Sequence, residues 1–142
     1  MKTVRFVGLL LVIAAIFPSG PAKGQSFQVV GNQTGLSGVT QAELVSIFKP
    51  KNNRWENNRP IIIVLPGAAS PINEEVSQQI YSRSFVAVQK YWLSLVFQGR
   101  FNAPYFFNSD DETLNFIRKT PGAIGFVSAS TGVPTELLIK VR

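Results

Sequence analysis

The sequence has 142 residues, of which 45% are hydrophobic, and its 14 basic and 8 acidic side chains give a formal net charge of +6. It contains no cysteine and no histidine, which excludes disulfides and removes the commonest zinc ligands, the cysteine nucleophile and the histidine base. We therefore expect no enzymatic activity, no metal and no cofactor. Burial of apolar surface must stabilise the fold, and 11 Phe, 3 Tyr and 2 Trp predict an aromatic-rich core.

The first 24 residues have the three-part pattern of a secretory signal peptide. Lys2 and Arg5 supply a positive start, and the apolar run Phe6–Phe17 has 12 residues, fewer than the roughly 20 that a membrane span needs. Small residues then precede Gln25, the expected first residue of the mature protein. An uncleaved membrane anchor is the alternative. We expect residues 1–24 to direct export to the periplasm and to be the only link to a membrane.

The remaining residues, 25–142, suffice for one domain but not for two full lobes. Because Lys2, Arg5 and Lys23 lie in the leader, 11 basic residues then face 8 acidic ones. A small positive balance of this kind is not typical of a nucleic-acid-binding protein, so we expect no nucleic-acid partner. One mildly basic stretch, Lys49–Arg59, fits either a solvated loop or an anionic partner.

The first predicted elements are a strand and a capped helix. Ser26–Val30 has the pattern of a short strand, and the polar residues and glycines of Gln33–Val39 predict a loop. Thr40 and Glu43 form a capping box, in which each side chain accepts a hydrogen bond from the other residue's backbone N–H. We predict that the helix runs over Gln41–Phe48, with one apolar stripe facing the core.

A polar loop, Lys51–Arg59, follows, and Trp55 is its only aromatic residue. The unbroken β-branched run Ile61–Leu65 then predicts a strand that is covered on both faces, as in an α/β sheet. After a proline-glycine turn, Ser70 is the expected N-cap of the next helix and Pro71 its first helical residue.

Helices and strands continue to alternate in the second half of the sequence. We predict a helix over Ser84–Phe97 with Trp92 in the core, and an extended piece at the end of Asn102–Asn108. The remaining expected elements are a helix with a second capping box at Ser109 and Glu112 and two strands, Ala123–Val127 and Leu137–Val141. The alternation predicts an α/β fold in which helices pack on a small mixed sheet.

Two groups of polar residues could carry chemistry. Asp110, Asp111 and Glu112 are adjacent carboxylates that could bind a metal, but acids in a first helical turn are also what the helix dipole favours, so we interpret them as a solvated cap. The turn at Ser70 could bind an anion through its hydroxyl and free backbone N–H groups, or it could be an ordinary N-cap. Arg100 could pair with an acid or lie at the surface.

Three motifs are shared with one known family. Thr40–Phe48 (TQAELVSIF) is similar to its Leu-Thr-x-x-Glu-Leu-x-x-Ile-Phe helix, and Thr120–Val127 (TPGAIGFV) is similar to its Thr-Pro-Gly-Ala-Ile-Gly-Tyr-Val signature. Tyr91-Trp92 followed by Phe97–Arg100 resembles a pattern of its short members. The family is that of the substrate-binding proteins of phosphate ABC transporters, and the similarity extends over about residues 38–128.

The resemblance implies a single lobe of the type II periplasmic binding protein fold. Full-length members have two lobes that close on phosphate. Their turn after the strand that corresponds to Ile61–Leu65 usually carries an arginine and a Gly-Ser-Gly-Thr-like run at the helix N-terminus. Here the arginine is missing, a proline has removed an N–H donor, and only Ser70 is retained by position. The expected ligand-binding residues are Ser70, Ala69 and Asn73. Because a charge-assisted hydrogen bond contributes about 1.5–3 kcal/mol, their binding of phosphate should be weak.

Two functions therefore stay open. The first is weak binding of phosphate or another small anion at the Ser70 turn, with another subunit supplying the missing wall and a transporter membrane component as a partner. The second is that of a binding-inactive lobe that serves as a periplasmic protein-interaction module. Its partner would contact the loop around Trp55 or the aromatic segment Tyr105–Phe107.

Overall fold

The computed structural model describes residues 26–142, so the predicted signal peptide and its cleavage site lie outside the described residues. Six strands form one mixed sheet: β1 (Phe27–Gly31), β2 (Gly38–Val39), β3 (Ile62–Pro66), β4 (Tyr105–Phe107), β5 (Ala123–Ser128) and β6 (Leu138–Val141). Four α-helices accompany it: α1 (Gln41–Phe48), α2 (Asn73–Val76), α3 (Phe85–Phe97) and α4 (Asp110–Lys119). A π-helical segment, Ser77–Tyr81, continues α2. The predicted α/β class is confirmed.

The sheet has the strand order β2-β6-β1-β5-β3-β4. β1 is antiparallel to both of its neighbours, whereas β3 is parallel to β4 and to β5. The carboxyl ends of β3, β4 and β5 therefore lie at one edge of the sheet, which we call the carboxyl edge. Because β3 is the middle strand of these three, the turn that follows it lies between the loops that follow β4 and β5.

Helices cover both faces of the sheet. Val29 and Val30 are successive residues of β1 that belong to separate core clusters, since successive side chains of a strand point to opposite faces. The larger cluster contains the buried aromatic residues Phe48, Tyr81, Trp92 and Phe126. The smaller one lies beneath α4 and includes Ile117 and Val64. The predicted aromatic-rich core is confirmed.

The first helix begins and packs as the sequence predicts. The Thr40 hydroxyl accepts a hydrogen bond from the Glu43 N–H at 3.2 Å, and the Glu43 carboxylate accepts one from the Thr40 N–H at 2.8 Å. Leu44 and Phe48, one helical turn apart, are completely buried, and the Phe48 ring lies 4.6 Å from that of Phe126. The capping box thus fixes a helix whose buried face meets the centre of the sheet.

Three details differ from the predicted elements. The α2 helix begins at Asn73 with Ile72 as its N-cap, so Ser70 is not the helix cap; Ser70 and Pro71 are instead part of the preceding turn. The predicted loop 33–39 contains the two-residue strand β2, which pairs with β6. α4 begins with Ser109 accepting from the Glu112 N–H, and this is a simple serine cap because the reciprocal bond of a capping box is not formed.

The prediction of an exposed loop around Trp55 is wrong for the aromatic residue itself. Trp55 is only 7% exposed, and its indole N–H donates to the carbonyl oxygen of Gly122 at 2.9 Å. An indole ring is large and apolar enough to be buried once its N–H has a partner. The loop therefore closes over the core through Trp55, and this side chain does not offer a surface for a partner.

Candidate functional site

The turn that follows β3 lies at the carboxyl edge. The Gly67 N–H donates to the carbonyl oxygen of Phe107 at 2.7 Å, and the Ser70 N–H closes the turn on the carbonyl oxygen of Gly67 at 3.0 Å. A Cβ atom at Gly67 would lie 2.4 Å from Oδ1 of Asn108. A side chain at residue 67 would therefore displace the Asn108 carboxamide.

Asn108 accepts a hydrogen bond from one of the backbone N–H groups that an anion would need. Its Oδ1 accepts a hydrogen bond from the Ala69 N–H at 3.1 Å. Ala69 is exposed, so its amide is otherwise accessible from the carboxyl edge. A carboxamide oxygen thus stands where a ligand oxygen would bind.

Ser70 is engaged within the turn. Its side chain is buried, with 8% of the residue exposed, and its Oγ accepts from the Ile72 N–H at 3.4 Å. The Asn73 N–H donates to the Ser70 carbonyl oxygen at 3.3 Å. Ser70 therefore stabilises the turn that leads into α2 and lies just before the helix.

Asn73 ties the helix back to the turn. Its carboxamide nitrogen donates to the carbonyl oxygens of Gly67 and Ala68, each at 3.1 Å. The three predicted site residues Ser70, Ala69 and Asn73 are thus brought together, but their polar groups bind to the protein's own backbone and to Asn108. Within the described turn, residues 67–70, only the Ala68 N–H has no hydrogen-bond partner.

The loop after β5 is held by an internal carboxylate. Asp110, the first residue of α4, accepts a hydrogen bond from the Ser128 N–H at 3.1 Å and another from the Thr131 hydroxyl. Gln28 of β1 donates to the carbonyl oxygens of the same two residues at 3.0 and 2.6 Å. Asp111 and Glu112 are exposed, as a solvated cap requires, whereas Asp110 is half-buried and fixes the neighbouring loop.

The carboxyl edge accordingly has few hydrogen-bond donors for an anion. One backbone N–H is uncommitted, a second is shared with Asn108, and no residue of the turn carries a positive charge. Across residues 26–142, no group of three or more acidic side chains could hold a metal ion. The Ala68 N–H, on an exposed residue, is the free hydrogen-bond donor of this turn.

The roles of Asn108 and Asp110 were not predicted. Asn108 directly precedes the Ser109 cap, and its contact with Ala69 joins residues 39 positions apart in the chain. Asp110 is followed by two further acids, and the pattern does not distinguish the one that reaches the β5 loop. Both roles follow from the pairing of β3 with β4 and β5, which brings the loops after these strands together.

A second exposed feature is apolar. Val86, Leu93 and Phe97 of α3 are 56%, 55% and 81% exposed, and at about 100° per residue they fall within about 40° of one another around the helix. In the segment Tyr105–Phe107, Tyr105 and Phe106 are also exposed, as expected for a partner surface. The Phe106 ring contacts Phe85 of α3 edge-on at 6.2 Å.

The fold of this chain is similar to that of solved proteins. The fold is that of phosphate-transport receptors. An ABC-type phosphate transport receptor from Vibrio cholerae matches with a TM-score of 0.60 and 17% identity, over 82% of this chain and 46% of that one. A putative phosphate ABC transporter substrate-binding protein with bound phosphate, from Clostridium perfringens, matches with a TM-score of 0.59 and 15% identity, over 82% and 44%.

PstS from Borrelia burgdorferi is similar in the same way, with a TM-score of 0.56 and 12% identity over 82% of this chain and 47% of that one. The chain thus spans less than half the length of these receptors. No family model matches the sequence, and no curated protein does so significantly. The fold implied by the sequence resemblance is confirmed, and these neighbours are substrate-binding receptors.

Within residues 26–142, none of the helices combines the length and the apolar character that a membrane crossing requires.

Proposed function

We propose that this chain is an exported binding-protein lobe that binds phosphate or another small oxyanion weakly, in the service of an ABC-type transporter. The site is the turn after β3, with Ser70, Ala69 and Asn73. The observation that carries the proposal is the position of this turn at the carboxyl edge, in a fold shared with phosphate-transport receptors. In open α/β sheets, ligands bind outside the carboxyl ends of the strands.

The internal hydrogen bonds account for the expected weakness. An incoming oxyanion meets the free Ala68 N–H, but it must displace Oδ1 of Asn108 before it can bind the Ala69 N–H. No arginine or lysine lies in the turn. A dissociation constant of about 1 mM corresponds to only about 4 kcal/mol, which a few neutral N–H donors can supply.

A titration followed by ¹⁵N NMR tests this proposal. Phosphate, compared with sulfate at equal ionic strength, should shift the amide resonances of residues 67–73 selectively. Asn108→Ala frees the Ala69 N–H, and since one hydrogen bond contributes about 1 kcal/mol, phosphate should bind about fivefold more tightly. Asn115→Ala is the matched control, because Asn115 is exposed on α4.

Ser70→Ala provides the opposite change at the same turn. It removes the oxygen that accepts the Ile72 N–H, and phosphate binding should weaken as the turn loosens. If saturating phosphate leaves residues 67–73 unshifted in the wild type and in Asn108→Ala, the turn is not an oxyanion site.

Export is tested separately. Mass spectrometry of protein recovered from the periplasm of the producing cell should give a mature chain that begins at Gln25. Recovery of the full-length chain in the membrane fraction would instead support the uncleaved anchor.

The exposed stripe Val86, Leu93 and Phe97 favours a second function, that of a protein-interaction module. Isolated apolar side chains are common on protein surfaces, but an aligned stripe beside an exposed aromatic strand marks a site of association. A photoreactive amino acid at Phe97 should give one dominant adduct in the cell, and Leu93→Asp should abolish it. The same label at Arg118, on α4, is the control; equal labelling from both positions would exclude this function.

A further inference from the structure

A groove lies at the end of β3 opposite the carboxyl edge. Its volume is about 680 Å³, which is within the range of about 300–1,000 Å³ that small-molecule sites occupy. It runs between the residues before β3 and the chain that leaves α3. At about 3.3 Å per residue, the length of β3 places this groove roughly 13 Å from the turn that holds Ser70.

The floor of the groove is apolar. Ile63 of β3 and Trp92 of α3 line its base and are otherwise buried, with Val96 beside them. Phe101 and Tyr105 stand at its sides, and half of the Tyr105 surface is exposed. The groove therefore offers apolar and aromatic side chains against which a flat ring could pack.

The charged residues of the rim are all cationic. Arg54 and Arg100 line the groove, and both also line an adjoining depression together with Lys51. No aspartate or glutamate lines either space. One guanidinium nitrogen of Arg54 donates to the carbonyl oxygen of Asn58 at 2.8 Å. Two positive charges thus line the groove, and Lys51 adds a third in the adjoining depression.

Uncommitted amides complete the rim. The groove is lined by Asn52, Asn53 and Asn102, and within residues 26–142 their carboxamides form no hydrogen bond. In contrast, the carboxamides of Asn32 and Asn73 are bound to backbone carbonyl oxygens. The rim thus has both charged and neutral hydrogen-bond donors available to a ligand.

We propose that this groove binds an aromatic carboxylate, with the ring on the Trp92 floor and the carboxylate between Arg54 and Arg100. The planar guanidinium group matches a carboxylate through two parallel hydrogen bonds, which favours this anion over a halide. The inference is independent of oxyanion binding at the Ser70 turn, because the two sites lie at opposite ends of β3.

The test uses 2-naphthoate as the probe and neutral 2-naphthamide as its uncharged counterpart. In ¹⁵N NMR titrations, 2-naphthoate should shift the amides of residues 52–54 and 100–102 and the indole N–H of Trp92. Loss of the carboxylate removes charge-assisted hydrogen bonds, so 2-naphthamide should bind at least about tenfold more weakly.

Arg100→Gln is the decisive variant, since the Arg100 side chain is exposed and its removal leaves the core intact. It should weaken 2-naphthoate binding about tenfold, whereas Arg118→Gln, an exposed arginine of α4, should have no effect. Equal affinity for the acid and the amide, shifts confined to other regions, or equal binding by Arg100→Gln would each overturn the inference. Phosphate shifts at residues 67–73 report only on the other site.

Discussion

The indole N–H of Trp92 donates to the hydroxyl of Tyr81 at 2.9 Å, and that hydroxyl donates in turn to the carbonyl oxygen of Phe48 at 2.8 Å. All three residues are at most 2% exposed. A single phenol group therefore links α3, the π-helical segment and the end of α1. If the phenol oxygen is removed, burial prevents water from replacing it as the partner of the Trp92 N–H and of the Phe48 carbonyl oxygen.

Tyr81→Phe should lower the free energy of unfolding by about 2–4 kcal/mol, because it leaves two buried polar groups without partners. Urea unfolding followed by circular dichroism measures this change. Tyr105→Phe, at a half-exposed position, should change stability by less than about 0.5 kcal/mol. Equal stabilities for the wild type and Tyr81→Phe would show that the hydroxyl does not stabilise the core.

The same phenol predicts a loss of stability in alkali. Burial raises the pKa of Tyr81 far above its ordinary value of 10.0, so only the unfolded chain loses this proton as the pH rises past about 10. The stability that the Tyr81 hydroxyl contributes is therefore present below about pH 10. Above that pH, the free energy of unfolding should fall by up to about 1.4 kcal/mol per pH unit.

Comparison with Tyr81→Phe isolates this effect, because every other titratable group is present in both proteins. The difference in stability between the wild type and the variant should shrink by about 1 kcal/mol between roughly pH 9 and pH 11. A constant difference over this range would mean that Tyr81 ionises equally in the folded and unfolded chains.

Gly122→Ala should be strongly destabilising. Gly122 has a φ of +88°, and an added Cβ atom would lie 2.3 Å from the Pro60 carbonyl oxygen. The left-handed conformation alone costs a non-glycine residue about 1–2 kcal/mol, and the clash adds to that. Gly99→Ala, at a φ of +67° with nothing within 4 Å, should show the conformational cost alone in thermal unfolding. Equal melting temperatures for the two variants would refute the clash.

Asp110→Asn should loosen the loop after β5. The carboxylate accepts hydrogen bonds from the Ser128 N–H and the Thr131 hydroxyl, and the weaker amide acceptor should cost about 1–2 kcal/mol. Hydrogen exchange of the Ser128 amide should accelerate in step with this loss. Asp111→Asn, at the exposed next residue of the same helical turn, should cost only the helix-dipole contribution of about 0.3–1 kcal/mol and should not selectively accelerate exchange of the Ser128 amide.

The main elements could be predicted because their signals are local. The Thr40 and Glu43 capping box lies within four residues, and the run of β-branched residues in β3 by itself indicates a buried strand. The same holds for α3, whose apolar residues recur at helical spacing, and for the strand of the Thr120–Val127 signature. Where the determinants of an element are contiguous, the sequence is enough to predict it.

The site depended on contacts that the sequence does not display. Ser70 and Pro71 have the pattern of a helix start. However, hydrogen bonds within residues 67–73 form a turn there, and α2 begins only at Asn73. Trp55 lies in a polar loop, yet its N–H finds a carbonyl oxygen 67 residues away. Asn108 likewise reaches Ala69 only because β4 lies beside β3.

The pairing of β1 also bears on how the chain is made. This strand, the first of the fold, has its two partners in β5 and β6, so its ladder joins residues 27–31 to residues 124–128 and 138–139. A ribosome must therefore complete nearly the whole described chain before the centre of the sheet can close. Such distant contacts make folding slow, so the segment that forms β1 leaves the ribosome long before either of its partner strands has been made.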